Sequence, residues 1–218
     1  MLARNASQEE ALNSLRGNTL TILTGPPGTA KTLLSLYVAI EMLEERVISK
    51  IYYIKPIVDV VGESGLGFLP GDIKDKINPH IAPVRDALAV FMSKTRADYL
   101  IEKKIIEFLP IEHLRGRSLN NSFIIADEMQ NAIPSSVFTI LTRIGSNAKI
   151  SLIGDTAQRD LSKTFGGDGL SDAIRRLSNL SDVGHINFTT DDVCRSGFAK
   201  AVIMRYYDLY GSKNSFSC

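Results

Sequence analysis

A β-branched, apolar run (TLTILT, residues 19–24) leads through GPPGTAK into a helix-forming stretch, TLLSLYVAI (32–40). No other feature restricts the fold as tightly. A strand apolar at every position must be covered on both faces, which antiparallel hairpins open to water do not provide. A glycine-rich turn joining such a strand to a helix belongs to parallel α/β architecture. Gly25, Gly28, Lys31 and Thr32 also have the spacing of a loop whose backbone N–H groups surround a phosphate at a helix N-terminus. Ala30 stands where the G-x-x-x-x-G-K-[ST] pattern has its second fixed glycine. The residue before the lysine is expected to enter the helix in a right-handed conformation, which alanine tolerates.

The remaining elements alternate in the same manner. The S-x-x-E pattern from Ser7 to Glu10 predicts a capping box and a helix reaching Gly17. A helix over roughly 31–45 and a strand at 50–55, ended by Pro56, follow. Gly62, Gly65, Gly67, Pro70 and Gly71 predict a loop or hairpin excursion over 57–78. Asn78-Pro79 then marks the start of a helix running to about Met92, with a short helix near 96–103. SFIIA (122–126), KISLIG (149–154) and HINF (185–188) read as further strands, the first two separated by a helix that Pro134 opens. A last helix spans about 197–209, capped by Ser196, and a short flexible tail is expected from about 211 to 218.

With 218 residues and no low-complexity linker or repeat, the chain is expected to form a single domain, 1–218, that buries about 70% of its unfolded surface. Its formal net charge of +1 excludes partner recognition by bulk charge, so a nucleic-acid site must be a local patch. Cys194 and Cys218 have no metal-ligand spacing, and the start MLARNASQEEALNS lacks a signal-like apolar run. A cytoplasmic protein without a membrane partner is expected.

Ligands of α/β sheets gather at the carboxyl ends of the strands. There the loop Gly25-Pro26-Pro27-Gly28-Thr29-Ala30-Lys31-Thr32 would hold phosphates, with Lys31 on the β- and γ-phosphates and Thr32 on Mg2+. SFIIA ends in Asp127-Glu128, where a nucleotide hydrolase places one carboxylate to orient hydrated Mg2+ and a second to polarise water. Asp127 and Thr32 are therefore the metal candidates. LIGDTAQ places Asp155 and Gln158 at the next strand end, Gln158 within reach of the γ-phosphate or its water; Asp155 can equally cap a turn. Gln8, a carboxamide that donates and accepts, is a candidate for the adenine edge.

LGFLPGDIKDKINPHIAPVRDAL (66–88), LRGRSLNNSFIIADEMQNA (114–132), GDTAQRDL (154–161) and DVCRSGFAKAVIMRYY (192–207) together resemble the PhoH family. The resemblance covers about 5–210 and implies a three-layer P-loop NTPase fold, RecA-like and similar to superfamily 1 helicases, with a mostly parallel central sheet. It implies ATP and Mg2+ as cofactors, hydrolysis by Asp127 and Glu128, γ-phosphate sensing by Gln158, and work on RNA. It also implies a compact form of the kind encoded by bacteriophages. Ala30, Met129 and Ser162 depart from the family pattern, and none removes a group the chemistry uses.

Superfamily 1 motors complete their site with arginines from a second domain. A single domain would take one from a neighbouring copy, so a homo-oligomer closed into a ring, a hexamer, is expected. Arg195, Arg115 and Arg117 are the candidate fingers, Arg195 foremost. Single-stranded RNA is a candidate partner through Lys55, Lys74, Lys76, Arg115 and Arg117. Two rival readings are an AAA-type remodelling ATPase and a nucleotide switch with little turnover; the G-D-x-x-Q strand end argues against the former.

Overall fold

The computed structural model describes residues 3–56, 73–158 and 168–213. Residues 57–72 of the glycine-rich excursion expected over 57–78, Ser162 and the end of the tail, 214–218, lie outside the described residues, while 73–78 belong to a helix.

Among the described residues there are six strands: β1 (Leu20–Thr24), β2 (Lys50–Ile54), β3 (Ile106–Phe108), β4 (Ser122–Ala126), β5 (Ala148–Gly154) and β6 (Val183–Asn187). They form one sheet in the order β3-β2-β4-β5-β1-β6, and each pairing is parallel. The loop-bearing β1 and the acid-bearing β4 are therefore not neighbours. β5 lies between them, and the carboxyl ends of all three point the same way.

Among the described residues seven α-helices accompany the sheet: α1 (Ala6–Gly17), α2 (Lys31–Glu44), α3 (Ile73–Leu88), α4 (Lys94–Glu102), α5 (Pro134–Leu141), α6 (Gly169–Leu177) and α7 (Gly197–Lys213). Two cores follow from the alternation of side chains along the strands. Leu23, Ile125 and Ile153 pack with Leu15, Leu34, Val38 and Leu88 on one face. Ile22, Ile124 and Leu152 pack with Val137, Ile140 and Leu170 on the other. Every residue of β1 and β4 is buried, Thr21, Thr24 and Ser122 among them, as strands covered on both faces require. Each such Leu or Ile contributes about 1.5–3 kcal/mol by leaving water.

Several boundaries differ from the sequence expectations. Asn5, not Ser7, caps α1: its side chain accepts the Gln8 N–H at 2.9 Å, which leaves the Ser7–Glu10 box without a role. α3 begins at Ile73 rather than at Asn78-Pro79, and it stops at Leu88. A proline inside a helix forfeits one backbone bond without obliging the helix to start there. β3 and α6 are additional elements. α7 continues to Lys213, so the first residues of the expected tail are helical.

Candidate nucleotide-binding site

Between β1 and α2 the backbone turns through Gly25 (φ 123°) and Gly28 (φ 82°), conformations that glycine adopts without steric cost. Space closes the same positions: a side chain at Gly25 would run into the Phe188 carbonyl, and one at Gly28 would lie 2.8 Å from Arg195 Cγ. Ala30 is left-handed (φ 72°, ψ 18°), which corrects the right-handed expectation. Its Cβ crowds the following carbonyl there, so glycine is the residue that position prefers, and alanine is carried at a cost of about 1–2 kcal/mol. Thr29 Oγ1 donates to the Pro26 carbonyl at 2.9 Å and ties the loop across its base.

Lys31 reaches back into this loop. Its Nζ donates to the carbonyls of Gly25 (2.6 Å) and Pro26 (2.7 Å). Burial lowers its pKa, opposed by the charges of Asp155, Asp127 and Glu128. Three carboxylates from two strand ends thus face one ammonium.

Asp127, directly after β4, is buried and accepts three hydrogen bonds. Its Oδ2 accepts from Thr32 Oγ1 (2.9 Å) and from Tyr53 OH (2.9 Å), while its Oδ1 accepts the Glu128 N–H (2.9 Å). Desolvation raises its pKa, as does repulsion from Glu128, and the three hydrogen bonds act in the other direction. Glu128 is left-handed (φ 58°, ψ 36°), a strained conformation for a residue with a side chain. Its Oε2 accepts from Gln130 Nε2 at 2.7 Å, and Gln130 Oε1 accepts the Asp155 N–H at 3.1 Å.

Asp155 caps a turn, as its position allowed, and also faces the cleft. Its Oδ1 accepts the Ala157 N–H (3.0 Å) and its carbonyl accepts the Gln158 N–H (3.1 Å), forming the turn after β5. The carboxylate is also part of the cleft wall, and burial raises its pKa. Gln158 is exposed at the cleft edge.

Across the loop, Gln8 on α1 is fully buried. Its Oε1 accepts the Arg4 N–H (3.0 Å) and its Nε2 donates to Cys194 Sγ (3.2 Å). A carboxamide carries two donors and two acceptor directions, so one of each is left for a ligand edge. Cys194 in turn donates its backbone N–H to the Gly28 carbonyl at 2.9 Å. Arg195 consequently lies against the loop of its own chain. Arg115 and Arg117 are exposed and form no part of the cleft wall.

Gln8, Lys31, Thr32, Asp127, Glu128 and Arg195 share one cleft of about 720 Å³. That volume is in the range of small-molecule sites. Tyr53, Lys55 and Arg4 also line it, and sequence reasoning assigned none of them to the nucleotide. Gln130 was missed too, although the D-E-x-Q spacing carried the signal. Among the described residues no group of three or more His, Cys, Asp or Glu has metal-holding geometry. Thr32 and Asp127 instead form the kind of sparse donor pair that suits Mg2+, which keeps several waters and takes its other oxygens from phosphates. No helix among the described residues is long and apolar enough to cross a membrane.

A family model described as PhoH-like protein matches residues 1–207. The chain belongs to the PhoH-like family. A PhoH-like protein of Bacillus subtilis is 36% identical over 203 residues, covering 93% of this chain and 63% of the relative. Protein PhoH of Escherichia coli K12 is 33% identical over 208 residues, covering 94% and 58%. The chain thus spans about three-fifths of the length of these PhoH relatives. The Pyrococcus furiosus Hef helicase domain aligns with a TM-score of 0.49 at 13% identity, over 85% of this chain and 38% of that one. Family membership and the loop between β1 and α2 together make this a nucleotide-binding P-loop protein with a parallel α/β fold.

Proposed function

We propose that this PhoH-like chain binds ATP with Mg2+ and hydrolyses it, and that hydrolysis drives rearrangement of RNA or RNA–protein complexes by an oligomer, a hexameric ring. The observation that supports hydrolysis above mere binding is the hydrogen-bonded chain Thr32–Asp127–Glu128–Gln130–Asp155, which aligns two acids and the β5 turn beside Lys31.

Each side chain has a distinct task in that scheme. Lys31 exchanges the carbonyls of Gly25 and Pro26 for β- and γ-phosphate oxygens. Thr32 and Asp127 hold the cation, which supplies charge neutralisation on the phosphates when bound. Glu128 draws a proton from the attacking water, and Gln130 keeps its carboxylate in place. Gln158 orients the water or the γ-phosphate, and Arg195 adds positive charge over the loop. Gln8 reads the adenine edge with its spare donor and acceptor.

Glu128→Gln tests the proposal. Its kcat for ATP should fall by about 10²–10⁴-fold while ATP affinity stays near that of the parent. Equal turnover in the two proteins refutes hydrolysis by Glu128, and a parent without turnover leaves a switch. RNA coupling predicts that single-stranded RNA stimulates the ATPase and that the stimulation fades as salt rises. Mass measurement in solution checks the ring.

A further inference from the structure

Tyr53 has a chemistry that packing does not require. It is the fourth residue of β2, paired in register with Ile125 of β4, and is 2% exposed. Its ring packs against Phe108 with centroids 6.4 Å apart, a contact that phenylalanine would make equally well. The hydroxyl is the unexplained part. A buried hydroxyl costs free energy unless it is hydrogen-bonded, and this one takes the Asp127 carboxylate at 2.9 Å as its partner.

Counting acceptor directions on Asp127 shows what the contact does. A carboxylate has about four such directions, two on each oxygen. Thr32 and Tyr53 occupy both on Oδ2, and the Glu128 N–H occupies one on Oδ1. One direction on Oδ1 is left.

We infer that Tyr53 is a positioning residue for the cation: its hydroxyl locks the Asp127 carboxylate so that a single oxygen direction meets the magnesium hydration shell. The inference rests on the assignment of Asp127 to the metal. Without the hydroxyl, Oδ2 has a free acceptor direction and the carboxylate can rotate about its bond, so the cation meets an ensemble of orientations instead of one.

The test compares Tyr53→Phe with the parent by calorimetric binding of a non-hydrolysable ATP analogue across an Mg2+ titration. The Mg2+ concentration for half-maximal binding should rise roughly tenfold in Tyr53→Phe, the size expected for losing a hydrogen bond to a charged group. Analogue affinity in EDTA should match the parent. Phe108→Leu is the packing control, expected to lower the thermal midpoint and leave the Mg2+ requirement alone. Tyr53→Leu, which also lacks the hydroxyl, repeats the measurement if Tyr53→Phe does not fold. An unchanged Mg2+ midpoint in the hydroxyl-free variant, or an equal shift in Phe108→Leu, overturns the role of Tyr53 alone. A parent whose analogue binding ignores Mg2+ overturns this inference and the metal assignment together.

Discussion

The backbone N–H of Cys194 donates to the Gly28 carbonyl at 2.9 Å, joining the segment after β6 to the phosphate loop of the same chain. Arg195 is thereby brought against Gly28. If a cation held in this way serves its own site, a neighbouring copy cannot replace it. Arg195→Ala and Lys31→Ala should each lose about 10²-fold or more in kcat. When the two variants are mixed as subunits, a coupled ATPase assay should show no recovery. Recovered activity would mean that Arg195 acts across copies.

Ala30 carries a left-handed backbone at the start of α2. Ala30→Gly removes the Cβ conflict and should raise unfolding stability by about 1 kcal/mol. Urea denaturation reads this as a higher midpoint at constant slope. A lower midpoint would show that the packing of the Ala30 Cβ against the core outweighs its left-handed strain.

Gln8 donates to Cys194 and accepts from Arg4, with one donor and one acceptor direction spare. Gln8→Glu keeps the shape and replaces donors with acceptors. ATP affinity should drop about tenfold, and GTP affinity should change less, so base preference narrows. Calorimetry with both nucleotides decides, and equal losses would place Gln8 outside base recognition.

His185 Nε2 lies 3.0 Å from Thr24 Oγ1 at the β1–β6 pairing, and partial burial lowers its pKa. The unfolded chain therefore takes up the proton first as pH falls. Stability should decline from about pH 6.5 downward, where the unfolded imidazole begins to bind a proton, and level off below the folded value. His185→Gln should flatten this slope in thermal midpoints measured between about pH 7.5 and 5.5. A parallel decline in both proteins would assign the slope to other groups.

What was legible in the chain follows from how local each signal is. β1, β4 and β5 declared themselves because a strand covered on both faces is apolar at consecutive positions. The phosphate loop and the paired acids sit at the ends of those same runs, so locating the strands located them. β3 has only three residues, too few for any period to emerge. α6 did carry the helical series Leu170, Ala173, Ile174 and Leu177, but it begins at Gly169 straight after a glycine-rich stretch that reads as loop. Handedness at Ala30 is set by the loop around it, which residue type alone does not encode. The Cys194–Gly28 bond joins positions far apart in sequence, so the orientation of Arg195 toward its own loop had no local signature. Tyr53 looked like one more strand aromatic, since its neighbour Asp127 becomes adjacent only when β2 pairs with β4.

Gln130 holds the Glu128 carboxylate with one end of its amide and the Asp155 backbone with the other. It works as a tie rod between two strand ends, buried beyond the reach of competing water. Any ligand that displaces the turn following β5 must drag the acid along or break the rod. Movement of that turn and of the Glu128 carboxylate are therefore one mechanical event, coupled through a single side chain.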